Sequence, residues 1–324
     1  MNILYLTHQE IDKPQWDALI TASEQGQAYA LSWYLDVVAP GWEAVVELNE
    51  AGKYKTVMPV PWRTKLGIRY VQQPLFCQQL GMYSLGARIP EAVYSQLWGQ
   101  VQQRFKYAIG YQLNADNQLP QQLAPEYTYT LCLDLNKPYE KLYQCYTRDR
   151  KLNLKRAQKA GLQLQQSQDL EPLIQFFRDE TAGRIYGGVS EEAYMLLRRL
   201  YQAMQERGLA QLYYTLDAKG RKNAGCLFTV WRNRIVYIFN AAAAHGRRQN
   251  GRTLILDHII RKHAGQNFIL DFESPDDREP DIVHFYRSFG AETMPIPVLK
   301  YNRLPKSIKV IRELRMRLVQ RLRR

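Results

Sequence analysis

The chain has only four cysteines in 324 residues, Cys77, Cys132, Cys145 and Cys226, and no two form a CxxC pair. A disulfide framework and a thiolate metal site are therefore not expected, and buried free thiols in a reducing compartment are the natural reading. Histidine is also sparse, at five residues. No His, Cys or Asp cluster has metal-ligand spacing, so no metal is expected, and no Ser–His–Asp order stands out. No run approaches the roughly 18 uncharged apolar residues that a membrane-spanning helix needs. The opening MNILYLTHQEIDKPQW has no basic n-region, so a cytoplasmic location rather than secretion is expected. Low-complexity tracts are missing. With 46% apolar and 23% charged residues, the composition is that of a globular protein with a substantial core.

What the sequence has in excess is positive charge, +13 net, and it is concentrated in two places. Residues 306–324 hold eight Lys or Arg against Glu313, and residues 148–159 hold six against Asp149. Local patches of this kind attract phosphates or anionic lipid headgroups. The tail spaces Ile308, Ile311, Leu314, Leu318 and Leu322 along one stripe with arginines opposite. Such a basic amphipathic helix suits the inner face of an anionic membrane, nucleic-acid phosphates, or docking on the first domain. The helix TRDRKLNLKRAQKAG suits a tRNA acceptor stem through Arg148 and Arg156, an acidic polymer, or simply solvent. DNA is not an expected partner.

The length suits two domains of about 150 residues. The expected division is 1–137, 138–300 and a tail at 301–324. Two stretches, residues 42–81 and 210–251, read alike: strand, polar turn, strand ending in Trp-Arg, basic turn, third strand, loop, glycine. Trp62-Arg63 aligns with Trp231-Arg232 at an offset of 169, and Gly81 falls near Gly251, which points to duplication of a domain. Helices are expected near 14–24, 90–105, 190–207 and 252–264, and strands near 127–135, 209–216, 223–231, 234–240 and 267–272. The order of helix, antiparallel meander, helix and strand defines an α+β class, with each domain a mostly antiparallel mixed sheet flanked by helices.

The stretch GRRQNGRTLILDHIIR, residues 246–261, combines a glycine, arginines and the start of an amphipathic helix. A helix N-terminus presents unpaired N–H groups to an anion. Glycine permits close backbone approach and positive φ, and Arg247, Arg248 and Arg252 add charge-assisted contacts. The counterpart in the first half, Gln78-Gln79-Leu80-Gly81-Met82-Tyr83, lacks arginines and places a bulky Tyr83 in the turn. Any phosphorylated ligand is therefore expected in the second half. Asp271 and Glu273 end a strand at alternate positions, which projects both to one side, and Glu273 is the first candidate for a general base. His284 is a second candidate; His245 and His258 read as structural or solvent-facing.

The runs LSWYLDVVAPGWEAVV, MPVPWRTKLGIRYVQQPLFCQQLG, NLKRAQKAGL and LDFESPDDREPDIVHFYRSFGAE together resemble the FemAB/FemX-like tandem-domain group. That group lies within the Gcn5-related N-acyltransferase (GNAT) superfamily. The resemblance covers roughly residues 30–300. It implies two GNAT-like domains and N-acyl transfer from an acyl-CoA, carrier-protein or aminoacyl-tRNA donor to an amine, in the FemAB/FemX group on a cell-envelope precursor. It also implies a donor-binding turn of the form Gln/Arg-x-x-Gly-x-Gly/Ala. The turn maps onto Arg248, Asn250, Gly251, Arg252 and Thr253, with Thr253 standing where a small residue is expected. The resemblance further implies a carbonyl-binding backbone N–H around 239–242. Tyr286 of HFYRSFGAE would be the acid for the leaving group, and Arg287 a contact for the tRNA acceptor end. The alternative is a non-catalytic nucleic-acid or membrane-surface binding protein on a degenerate GNAT scaffold.

Overall fold

A computed structural model describes residues 2–86, 88–185, 187–273 and 280–305. The chain divides into two compact units, residues 1–127 with 297–324, and residues 128–296. The expected division at 137/138 falls ten residues later than this one. All but the first two residues of strand β8 (Glu126–Asp134) lie on the second unit's side of the boundary, where Cys132 to Asp134 pair with a strand. The expected tail helix at 306–324 lies outside the described residues.

In the first unit, β1 (Asn2–Leu6) is followed by α1 (Lys13–Ala22), α2 (Ser32–Val38), β2 (Glu43–Leu48) and β3 (Tyr54–Val60). Next come β4 (Trp62–Lys65), β5 (Ile68–Val71), β6 (Tyr83–Ser84), α3 (Glu91–Arg104) and β7 (Tyr107–Gln112). Asp12 caps α1 by accepting from the amide of Gln15, and Pro14 occupies the first turn, where a missing N–H is harmless. One sheet runs β1-β2-β3-β6, antiparallel throughout, over a core that includes Trp16, Trp42, Tyr29 and Tyr34.

The second unit contains β8, α4 (Tyr139–Cys145), α5 (Arg148–Lys159), β9 (Gln163–Ser167), α6 (Glu171–Glu180), α7 (Glu191–Glu206), β10 (Ala210–Leu216) and β11 (Lys222–Trp231). It continues through β12 (Arg234–Ala242), α8 (Ala244–Arg248), α9 (Gly251–His263), β13 (Ile269–Asp271) and α10 (Pro280–Arg287), and the unit boundary at 296/297 falls within β14 (Glu292–Asn302). The sheet order is β8-β13-β12-β11-β10-β9, antiparallel except for the parallel β12–β13 pair. The α+β class and the mostly antiparallel sheets flanked by helices are therefore as expected. Helix α5 is amphipathic: Arg150, Leu154 and Ala157 fall on one buried stripe, while Arg148 and Arg156 are exposed.

Both units contain a strand, two helices and an antiparallel hairpin in succession: β1-α1-α2-β2-β3 and β9-α6-α7-β10-β11. The Trp-Arg alignment is nevertheless incorrect. Trp231 ends β11 beside a two-residue turn, whereas Trp62 opens β4 and pairs with Val71, three positions from the hairpin end at Lys65↔Ile68. Gly81 and Gly251 are not equivalent either, since Gly81 leads into the short β6 and Gly251 opens a helix of 13 residues. The four cysteines are free; Cys145 is exposed rather than buried.

The β12–β13 pair carries the second unit's buried ion pair. Asp271 is fully buried and accepts from Arg234 Nη1 at 2.7 Å and from Thr130 Oγ1 at 2.6 Å. Removing one partner of such a pair strands the other charge, a loss of about 3–5 kcal/mol. Asp271→Ala should lower the free energy of unfolding by about that amount, measured by urea titration. Asp271→Asn, which keeps a hydrogen-bond acceptor, should lose less.

Candidate functional site

Two irregularities in β12 create the site. The ladder to β13 ends at Val236↔Asp271, yet β12 runs on to Ala242, so its last turn of strand leaves β13 behind. Against β11, the register jumps from Thr229↔Val236 to Leu227↔Phe239, which puts one extra residue on β12 at Tyr237–Ile238. A bulge of this kind re-aims the side chains that follow it. Ile235 and Tyr237 belong to the core cluster beneath α9 and α10, and after the bulge Asn240 points to that same side. Phe239 faces the other way and packs on Phe177 of α6, ring centroids 4.7 Å apart.

Asn240 links two elements. Its Oδ1 accepts from Arg252 Nη1 at 2.7 Å, and its side chain lies near enough to the Tyr286 phenol to favour the phenolate slightly. Tyr286 is buried against Phe272 and Tyr237, and burial pushes its pKa up to about 12, opposed by the nearby Arg252 cation. The phenol therefore keeps its proton throughout the neutral range.

The glycine turn differs from its expected form in three respects. The left-handed residue is Asn250 (φ 61), not Gly251. A Cβ on Gly251 would stand 2.5 Å from Thr215 Oγ1, 2.7 Å from the Ala224 methyl and 3.1 Å from Asn223 Oδ1. The glycine is thus required for packing against β10 and β11. Gly246 likewise faces Asn223, whose carbonyl oxygen would lie 1.9 Å from an added Cβ. Fully buried Asn223 also donates to Gln249 Oε1 at 2.8 Å and accepts from the Ala243 amide at 2.9 Å. The whole turn is folded around this one residue. Thirdly, Thr253 does not crowd the turn, because its side chain is buried and accepts from Arg150 Nη1 at 2.5 Å.

The N-terminus of α9 is left open: no side chain caps it, and no described group accepts from the amides of Gly251, Arg252 and Thr253. The shorter α8 is closed by the Glu180 carboxylate, which accepts from the Ala244 amide at 3.0 Å and pairs with Arg247. Arg247 is therefore already neutralised. Arg248 is exposed at the end of α8.

The remaining candidates separate. Asp271 is committed to Arg234 and Thr130 and is not available as a base. Glu273 follows with φ 59, so the strand alternation that would have aligned it with Asp271 is broken, and its amide donates to Asp271 Oδ1. Glu273 is half-buried and close enough to Tyr286 to influence its ionisation. Arg287 is exposed and donates to Thr293, and Arg148 and Arg156 lie on the exposed face of α5. His284 is exposed, and His258 packs edge-on against Tyr213. Among the described residues no group of three His, Cys, Asp or Glu could hold a metal.

Sequence reasoning missed Asn240, Asn223 and Arg150. Only Arg150 had a readable signal, since it sits four and seven positions before Leu154 and Ala157 on their stripe.

Residues 148–277 match the family model described as an acetyltransferase (GNAT) domain. The whole chain is similar in fold to the crystal structure of FemX, with TM-score 0.63 and 12% identity, covering 94% of this chain and 98% of that one. It is also similar to a tandem GNAT protein from the clavulanic acid biosynthesis pathway (TM-score 0.54, 12% identity, 94% and 100% covered). A third neighbour is L-PGS from Bacillus licheniformis (0.53, 12%, 96% and 97%). At these identities the likeness is one of fold. No curated protein sequence matches the chain significantly.

The packing around Gly251 yields a direct expectation. Gly251→Ala and Gly251→Asp should each destabilise the fold by about 1–3 kcal/mol through overpacking, seen as a lowered unfolding midpoint. A Gly251 variant with wild-type stability would show that the turn is looser than described.

Proposed function

Given an acyltransferase domain of the GNAT family at residues 148–277, we propose that the protein forms an amide by transferring an acyl or aminoacyl group to an amine. The donor is a phosphate-bearing carrier: a coenzyme A or carrier-protein thioester, or an aminoacyl-tRNA ester. The observation that carries this reading is the open first turn of α9, set beside a strand that has parted from its neighbour. Free amides at a helix start favour an anion, and the exposed Arg248 adds a charge-assisted contact. They would hold the carrier's phosphates.

The chemistry assigned to the site is as follows. The amine nitrogen attacks the acyl carbon, and the oxygen's developing charge is met by backbone N–H groups of β12 beyond Val236. Glu273 takes the proton lost by the amine. The carbon–sulfur or carbon–oxygen bond to the carrier breaks, and Tyr286 supplies the proton to the departing atom. Asn240 keeps the phenol oriented. The acceptor is an amine-bearing precursor, for which cell-envelope chemistry is the leading class, met at the inner face of the membrane through residues 306–324. Among the described residues no helix is long and apolar enough to cross a membrane.

The test is a donor screen on the intact protein. Thermal shift with coenzyme A, acetyl-CoA and deacylated tRNA should reveal one stabilising ligand, by about 2.7 kcal/mol at a hundredfold excess over Kd. Mass spectrometry should then detect amide product from the matching donor and a mixture of amines. No stabilisation and no product with any donor would replace the enzyme by a binding protein on the same scaffold. Tyr286→Phe should lower kcat by about 10²–10⁴-fold while leaving donor affinity unchanged. A wild-type kcat would remove the phenol from the mechanism.

A further inference from the structure

The β4–β5 hairpin of the first unit carries a residue that neither folding nor water favours. Trp62 to Lys65 pair with Val71 to Ile68, which leaves Leu66 and Gly67 as a two-residue turn. Both have positive φ, 52 and 73. A turn of this kind ordinarily takes Asn-Gly, because a leucine in the left-handed region crowds its own backbone. Leu66 is also 84% exposed, the most exposed large apolar side chain among the described residues. A bulky apolar group held at a hairpin tip against the local preference is suited to an apolar contact outside the chain.

Positive charge surrounds the tip. Residues 51–90 hold six Lys or Arg and no Asp or Glu. On the hairpin itself Arg63, Lys65 and Arg69 are exposed. Arg69 fixes the base: it pairs with the buried Glu43 carboxylate at 2.7 Å, and its Cζ lies 3.9 Å from the centroid of the Trp62 ring. Arg63 and Lys65, two positions apart on β4, project to one face and lie nearest the tip.

The strand register brings further cations to the same place. β5 lies parallel to β7 with Val71 opposite Ala108, so Ile68 and the Leu66 turn reach past the start of β7 at Tyr107. β14 runs antiparallel to β7 with Asn302 opposite Tyr107, and the Arg303 amide donates to the Lys106 carbonyl at 2.8 Å. The chain therefore leaves β14 at the end of the sheet where the hairpin tip lies. Lys106 and Arg303, both exposed, stand at that end, and the eight cations of 306–324 are tethered to it.

We propose that the β4–β5 hairpin tip is a docking surface for an anionic lipid bilayer. Leu66 enters the acyl boundary, and Arg63, Lys65, Lys106 and Arg303 meet the headgroup phosphates. Nucleic acid offers phosphates too, but no apolar layer for a leucine, so Leu66 favours the membrane. The hairpin and the tail are two attachments at one end of the unit, where either alone is marginal. The surface rests on the acyl-transfer reading only for what it serves, the presentation of a membrane-bound amine.

Co-sedimentation of the full-length protein with vesicles tests this. Vesicles of phosphatidylcholine mixed with phosphatidylglycerol should bind the protein at low salt, and phosphatidylcholine alone about tenfold more weakly or less. Leu66→Asn, which suits the turn better, should weaken binding to the mixed vesicles about tenfold. Its unfolding midpoint should equal or exceed that of wild type. Lys65→Glu should weaken binding to the mixed vesicles by a similar factor and leave binding to phosphatidylcholine unchanged.

Wild-type vesicle affinity in Leu66→Asn would overturn the hairpin's part, and a lowered midpoint besides would make the leucine a packing residue. If Leu66→Asn does not fold, Lys65→Glu carries the same comparison. Equal binding to both kinds of vesicle, or to neither, would overturn the surface. Binding to a duplex RNA oligonucleotide but not to vesicles, lost in Lys65→Glu, would overturn the membrane and assign the tip to nucleic acid. Vesicle binding without acyl transfer to any amine would leave the surface standing and remove the enzyme reading. Amide formation by a protein that ignores vesicles would do the reverse.

Discussion

The ion pair between Asp271 and Arg234 governs the geometry of the second unit. It ties β12 to β13 across their short ladder, from Arg234 at the first pair to Asp271 at the last, with the carboxylate fully buried. Because the pair is anchored further by Thr130 on β8, three strands share one fixed point. Beyond it β12 leaves β13 and continues beside β11 only, bulges, and turns Asn240 towards α9 and α10. A backbone edge without a strand partner, held this firmly at its base, is a rigid place to present N–H groups. Its value for acyl transfer comes from that rigidity.

Around this edge the electrostatics are uneven. The acidic side chains are used for internal joints: Asp271 in the sheet, Glu180 on α8, and Asp257 with the hydroxyls of Tyr139 and Tyr146. Among the described residues, Arg150, Arg248 and Arg252 beside the opening have no carboxylate partner. The distribution suits an anionic visitor. It also explains how a threonine can stand at a position expected to be small, since its hydroxyl is drawn into the interior by a buried guanidinium.

Much of the fold was legible in the sequence because amphipathic spacing and turn residues are local signals. The 191–206 and 251–263 helices and the 210–242 meander could be placed to within a residue or two. Helix α6, strand β9 and the break between α4 and α5 were not placed. The break rests on Thr147, whose amide meets the Ser288 carbonyl far along the chain. The site was only partly legible. Tyr286 and the turn stood out by pattern, but Asn240 owes its direction to a bulge that no composition announces. Asn223 matters through contacts with residues some 20 to 28 positions away. The error over Asp271 and Glu273 has the same origin: strict alternation was assumed across a residue that adopts a left-handed backbone.

Asn223 carries an implication for how such sequences are interpreted. The glycines of the basic turn sit where they do because the neighbouring β10–β11 hairpin, through Asn223 at Gly246 and through Thr215, Ala224 and Asn223 at Gly251, occupies the space a side chain would need. Natural selection for folding alone would preserve them, whether or not a nucleotide or carrier ever docks nearby. A glycine at either position is thus a mark of architecture before it is a mark of catalysis.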